Sequence, residues 1–313
     1  MKIFLAGATG VMGRHLIPAL VEAGHEVIGT TRSAAKAGGI RAAGAEPVVL
    51  DALDRDDVLE AVTQAAPDVV IHQLTAIERA DFKRFDETFA ATNELRTKGL
   101  DNLLEAARKA GARRFIAQSY TGWPNPHTGG AVKTEEDPLD PDPAAASVRS
   151  LAAIRHVEST VTQAAGIEGL ALRYGSFYGP GTSFDRGGEI YELVAKRRMP
   201  IVGGGGGVFS FIHIKDAARA TAVAVGRGRP GVYNIVDDDP APVATWLPYY
   251  AEIIGAKRPF RAPAWLVRPM LGEFGVATMT TMRGSANAKA KAELDWTPSY
   301  PSWRTGFREL RTA

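Results

Sequence analysis

A doubly wound α/β fold built on a parallel sheet is predicted by three features of the 313-residue sequence. Short apolar runs alternate with longer helical patterns from the first residues onward. The runs are almost continuously apolar, as strands covered on both faces must be. A glycine-rich turn follows the first of them. Strict strand–helix alternation needs right-handed crossovers, and those place helices on both faces of one sheet.

The strands are read in order as KIFLAG, HEVIGTT, AEPVVLD, PDVVIHQ, ARRFIAQS and EGLALRYG. Between them, apolar residues recur at helical spacing over 11–23, 34–43, 55–65, 82–110 and 144–165. After Gly175 the rhythm breaks. Residues 186–198 read as a helix, Gly203–Gly207 as a flexible hairpin, VFSFIHI as a strand and KDAARATAVAVG as a helix. GVYNIVD can return to the main sheet, and prolines then punctuate the chain from Pro242 to Pro298. The expected division is a dinucleotide-binding domain over 1–174, rejoined by 208–236, with 175–207 and 237–313 forming a smaller substrate lobe. The Pro/Gly/Asp-rich stretch 122–143 is long for a connection inside a compact domain, so it is functional or mobile.

Composition excludes several classes. The 37 basic and 35 acidic residues nearly cancel, giving a net charge of +2 and no polybasic footprint for nucleic acid or anionic membrane. No run approaches the roughly 18 apolar residues of a membrane span. The opening MKIFLAG reads as a strand, not a signal peptide. With 0 Cys, disulfide and thiolate chemistry are ruled out, which suits the cytoplasm. The 6 His lack ligand spacing, so no metal site is expected.

The turn GATGVMG places Gly7, Gly10 and Gly13 between a strand and a helix. Such a turn lets backbone approach a pyrophosphate, whose charge then rests on N–H groups at the helix start. Thr9, Val11 and Met12 join this set. The second strand ends in Thr31, Arg32 and Ser33, where an acidic residue would bind a ribose 2′-hydroxyl and repel a phosphate. A guanidinium there pairs with a 2′-phosphate, so NADP(H) is expected over NAD(H). Asp51, with Ala52 beside it, closes the third strand. It can accept from the adenine amine, cap the helix beginning near Asp54, or do both.

Together these residues resemble the short-chain dehydrogenase/reductase superfamily, in its extended type grouped with NAD-dependent epimerases and dehydratases. GATGVMGRHL, VVIHQLTA, TNELRTKGLDNLLEAARKAGARRFIAQS, RYGSFYGPGT and FIHIKDAARA carry the resemblance, which spans essentially the whole chain. It implies a Rossmann-type sheet and a homodimer through two long helices. It also implies that Gln73, Leu74 and Thr75 line the cofactor, with Asn93 and Gln118 near it. Tyr174, Gly175 and Phe177 would approach the nicotinamide.

Members of this family usually carry a Tyr and, four residues later, a Lys on the helix after the fifth strand. One helical turn brings the two side chains together, and the cation lowers the phenol pKa for proton transfer. Here that helix reads SVRSLAAIRHVEST, and alignment on Glu158 puts Ser150 and Ile154 at the two places. The usual acid/base pair is missing. Ser119 resembles the hydroxyl that orients a substrate carbonyl, and Tyr120 is the first choice for a replacement acid.

Three functions fit. The first is an atypical NADP(H)-dependent oxidoreductase reducing a carbonyl or conjugated double bond of a small molecule. The second is a sugar-nucleotide epimerase or dehydratase, whose first step oxidises an unactivated alcohol and demands a strong base. The third is a non-catalytic NADP(H)-binding redox sensor.

Overall fold

The computed structural model describes residues 1–77 and 81–310. Seven parallel strands form the main sheet: β1 (Lys2–Ala6), β2 (Glu26–Thr31), β3 (Glu46–Val49), β4 (Val69–His72), β5 (Arg114–Tyr120), β6 (Glu168–Tyr174) and β7 (Gly231–Ile235). Their spatial order is β7-β6-β5-β4-β1-β2-β3. The order reverses at β1, which pairs with β2 on one side and β4 on the other. That reversal opens a crevice beyond the carboxyl ends of the strands, the general location of ligands in sheets of this type.

Six helices cover the sheet: α1 (Val11–Glu22), α2 (Ala37–Ala42), α3 (Arg55–Ala65), α4 (Leu100–Lys109), α5 (Val148–Thr162) and α6 (Ile214–Ala224). One face buries Ile3, Leu5, Ile71 and Leu172 under Leu16 and Ile17 of α1 and Ala217 and Ala220 of α6. The other buries Phe4, Val70, Phe115 and Ala117 under Val58, Leu103 and Val157 of α3, α4 and α5. Both faces being apolar explains the continuous runs in the sequence. The acid that caps α3 is Asp54, whose Oδ1 accepts from the N–H of Asp56 and Asp57 at 3.1 and 3.2 Å. Asp51 instead accepts from Leu53 N at 3.0 Å.

The segment expected as one helix over 82–110 is broken into short turns. A π turn, Leu95–Gly99, runs directly into α4. The strand GVYNI does return to the main sheet as β7, in register with β6 (Tyr233 opposite Leu172). VFSFIHI splits at Ser210, however. Val208–Phe209 pairs antiparallel with Ala241–Pro242, while Phe211–His213 pairs in parallel with Ser176–Tyr178. Around them Phe184, Phe211, Trp246, Tyr250, Trp303 and Phe307 form a separate aromatic core.

One loop expectation needs correction. The glycine run is close-packed at Gly205 and Gly207 and is not a free hairpin. Gly207 N donates to Met279 O at 3.2 Å, and a Cβ on Gly207 would lie 2.2 Å from Thr278 O. The long stretch after β5 is stitched down, because Val132–Lys133 pairs in parallel with Gly284–Ser285. Among the described residues no helix is long and apolar enough to cross a membrane.

Asp54→Ala is expected to lower the unfolding free energy by about 1 kcal/mol in urea titrations. Asp51→Ala should cost less than half as much, because its carboxylate does not cap α3.

Candidate functional site

The turn from β1 into α1 is shaped by backbone contact. Gly7 sits at φ +98°, and a Cβ there would lie 2.7 Å from Gln73 O; one on Gly13 would lie 2.3 Å from Gly7 O. The turn is further pinned by Gly7 N donating to Thr30 Oγ1 at 3.2 Å and Ala8 N to Thr30 O at 3.2 Å. Gly10 caps α1 without a side-chain hydrogen bond, and a Cβ there would meet only Gly7 O at 3.4 Å. The protein's own packing therefore explains Gly7 and Gly13. The open cradle at Gly10, with Thr9 half-buried beside it and the N–H groups of Val11 and Met12 following, fits a pyrophosphate.

At the end of β2, Thr31 is buried and its Oγ1 accepts from Ser33 N at 3.2 Å. Arg32 is exposed, and Ser33 is half-buried. Asp51 is exposed, and Ala52 is buried with its carbonyl held by Asn102 Nδ2 at 3.0 Å. These groups share the strand-end edge of β2 and β3 with the glycine turn.

At the ends of β4 and β6, Gln73 Nε2 donates to Tyr174 Oη at 2.9 Å, and Tyr174 Oη meets Thr221 Oγ1 at 2.6 Å. Burial pushes the Tyr174 phenol well above its ordinary pKa. It is a fixed hydrogen-bonding post, while Gln73 Oε1 is buried without a partner. Leu74 is half-buried and Thr75 exposed. Gly175 lies so close to Ser210 that a Cβ would come within 2.6 Å of its carbonyl. Phe177, half-buried, tilts against Tyr174 at 5.3 Å between centroids.

The structure separates Ser119 from Tyr120. Ser119 is 1% exposed and its Oγ donates to Glu158 Oε1 at 2.7 Å, on the α5 face of the sheet. The same carboxylate holds Arg173 through Nε at 2.6 Å and Nη2 at 2.7 Å. Ser119 thus belongs to a buried network joining β5, β6 and α5. Gln118 and Tyr120 point to the opposite side, both half-buried. Tyr120 Oη lies 3.1 Å from Ser176 Oγ, and its ring stacks near Trp123 at 6.4 Å. Burial raises the Tyr120 pKa; Ser176 and the cation of Arg96 oppose that shift.

Where family members usually carry the phenol and the ammonium, α5 offers a sealed polar knot and an apolar side chain. Ser150 is fully buried, donates to Asp86 Oδ1 at 2.6 Å and accepts from Asn93 Nδ2 at 3.0 Å. Asp86 also accepts from the N–H groups of Arg149 and Ser150, both at 2.8 Å, and so caps α5. Ile154 is fully buried. His156, also on α5, pairs with Asp101 of α4 at 2.7 Å on the surface.

Sequence reasoning missed Asp86 and Arg96. Arg96 lies three residues after Asn93, in the π turn, and is 5% exposed. Its Nη1 is buried without a hydrogen-bond partner, and burial lowers its pKa to about 10. A cation on an otherwise apolar helical face was the available signal. Separately, a cavity of about 420 Å³ is lined by Trp123, His127, Asp142, Ser147 and Phe274, and neither Arg96 nor Tyr120 lines it.

The sequence profile described as the NAD dependent epimerase/dehydratase family matches residues 3–236. The chain is 44% identical to a 3-diazoavenalumate denitrifying reductase from a Streptomyces species, over 98% of this chain and 99% of that protein. Its fold is similar to that of Thermus thermophilus UDP-glucose 4-epimerase in complex with NAD (TM-score 0.75, 24% identity, 100% and 98% of the two chains). It is also similar to Bacillus cereus UDP-glucuronic acid 4-epimerase with UDP-glucuronic acid and NAD (TM-score 0.74, 22% identity, 100% and 98%).

These findings correct the expected cofactor. The dinucleotide in the two similar epimerases is NAD and not NADP. The physical reason lies at Arg32: an exposed guanidinium on a flexible stem, with no described neighbour fixing it, is a solvated side chain. The comparisons also favour the epimerase or dehydratase alternative over reduction of a carbonyl or double bond.

In fluorescence titrations NADH is expected to bind at least as tightly as NADPH, and Arg32→Ala to change NADH affinity by no more than about twofold. Glu158→Ala leaves Arg173 buried without its counter-ion and is expected to cost about 3–5 kcal/mol of stability, measured by urea unfolding.

Proposed function

The chain belongs to the NAD dependent epimerase/dehydratase family, and from that premise we propose that it is an NAD(H)-dependent reductase that removes a diazo group from a small aromatic molecule as dinitrogen. The observation that carries this reading is the knot at Ser150. A site whose phenol and ammonium positions hold Ser150, tied to Asp86 and Asn93, and Ile154 cannot shuttle a proton to an alcohol or carbonyl oxygen there. Loss of a diazo group needs no such shuttle, and a diazo compound is what the 44% identical relative is named for.

When NAD(H) is bound, its nicotinamide supplies hydride chemistry. The substrate would gain a hydrogen with its electron pair, the carbon–nitrogen pair would leave with dinitrogen, and the phenolate left by a diazonium phenolate would take one proton from water. The chain's own residues bind, orient and exclude water. The glycine turn and the start of α1 would hold the diphosphate. The Gln73–Tyr174–Thr221 chain fixes the ends of β4 and β6. Tyr120 offers a phenolic hydrogen bond to a substrate oxygen and remains protonated, because burial raises its pKa. The cavity between Trp123 and Phe274, otherwise lined largely by proline and aspartate, offers two rings against which a flat ring can pack and lies within the usual size of small-molecule pockets. Residues 175–207 and 237–313, of which 311–313 lie outside the described residues, serve as the substrate lobe, and α4 and α5 as the homodimer face.

The second reading is a sugar-nucleotide epimerase or dehydratase, supported by the folds it resembles. One assay separates the two. With NADH and an ortho-diazophenol carrying a carboxylate, NADH consumption and dinitrogen release should match one to one. Conversion of UDP-glucose to UDP-galactose, with the diazo compound left intact, would establish the second reading instead. Tyr120→Phe is expected to reduce turnover about three- to tenfold, the worth of one hydrogen bond, with unchanged NADH affinity.

A further inference from the structure

Arg96 has no role in any of the networks above, and its setting is unusual for an arginine. It is 5% exposed, and its Nη1 is sealed from solvent without a hydrogen-bond partner. Among the described residues no carboxylate pairs with it, and the Tyr120 phenol, whose ionised form would favour its charge, stays protonated. A buried cation is ordinarily paired, since desolvation disfavours its charge. The guanidinium retains its charge at neutral pH and is left without an anion.

Its place in the fold gives the vacancy a meaning. Arg96 emerges from the π turn Leu95–Gly99, a helical distortion often found at functional sites. Its charge acts on His72 at the end of β4 and on Tyr120 at the end of β5, so it lies within electrostatic reach of the carboxyl edge of the sheet. His72 does not supply the missing charge. It is fully buried, its Nε2 bonds Leu95 O at 3.0 Å, and burial lowers its pKa. Three residues earlier, Asn93 carries a second buried atom without a partner, Oδ1. The pyrophosphate cradle lies elsewhere, at the β1–α1 turn, so the cofactor's phosphates are not the anion Arg96 awaits.

We propose that Arg96 is the anion-recognition residue of the substrate site, seating a carboxylate or phenolate oxygen of the substrate beside Tyr120. This rests on the reading of the cleft as a substrate site but not on the diazo group. A planar guanidinium receives a carboxylate in two parallel hydrogen bonds, which orients the ring attached to it. A substrate anion thereby replaces the missing counter-ion, and a neutral analogue would leave the cation buried and unpaired.

The test is equilibrium binding to the NAD⁺-saturated protein, with the unreactive pair 4-hydroxycinnamate and 4-hydroxycinnamamide, followed by calorimetry. The wild type should bind the acid at least tenfold more tightly than the amide. Arg96→Met should abolish that preference with NAD⁺ affinity unchanged, and Arg96→Lys should keep part of it. In the unliganded protein Arg96→Met should also raise Tm, because it removes an uncompensated buried charge; a structural arginine would lower it. Equal binding of acid and amide, absence of binding by either up to 10 mM, a preference surviving in Arg96→Met, or a loss of NAD⁺ affinity instead would each overturn the proposal. Failure of diazo turnover with the preference intact would count against the reaction proposed above and not against Arg96.

Discussion

The buried pair of Glu158 and Arg173 is the constraint around which the cleft is arranged. Arg173 stands on β6 and Glu158 on α5, and Ser119 of β5 donates into the same carboxylate. Two charges removed from water are tolerable only when geometry and extra hydrogen bonds compensate the desolvation. Here two contacts from Arg173 and one from Ser119 do so, and they fix the rotation of α5 about its own axis. That rotation aims Ser150 at Asp86 and Asn93. The polar knot at the start of α5 is thus a downstream result of an ion pair two helical turns away.

Much of this architecture was legible in the chain. The continuous apolar runs located six of the seven main strands, and GVYNIVD was read correctly as a returning strand. Helix α3 was bounded to the residue. What failed were features without periodicity. Residues 82–110 keep helical spacing throughout, yet the backbone breaks and widens there because side chains from β4 and α5 claim its polar groups. His72 takes Leu95 O and Ser150 takes Asn93 Nδ2. The glycine run reads as flexible from composition alone; only the facing carbonyls of Thr278 and Met279 show that it is a contact surface. VFSFIHI is split by Ser210, whose Oγ accepts from Ser285 N at 2.7 Å, a partner 75 residues away.

The site was half legible for a related reason. Glycine spacing encodes a backbone shape, so the β1–α1 turn could be read directly. A hydroxyl at a strand end encodes only a residue type, and strand alternation decides which side it faces. Ser119 and Tyr120 are neighbours in sequence and therefore point to opposite faces of the sheet. One serves the interior and the other the cleft. Arg32 illustrates the same limit with charge, since a guanidinium in the expected place selects a phosphate only where neighbours hold it still. Arg96 is the converse, a buried cation in a place that no motif marks.

The short seam between Val132–Lys133 and Gly284–Ser285 carries a mechanical consequence. Gly284 N bonds Ala131 O at 2.9 Å and Ala286 N bonds Lys133 O at 2.8 Å, while Thr121 and Ser285 join their hydroxyls at 2.5 Å. The strap leaving β5 and the late part of the chain are thereby riveted into one rim. Breathing of the molecule on that side must shear all of these bonds together, so the strap and the late chain move as one body.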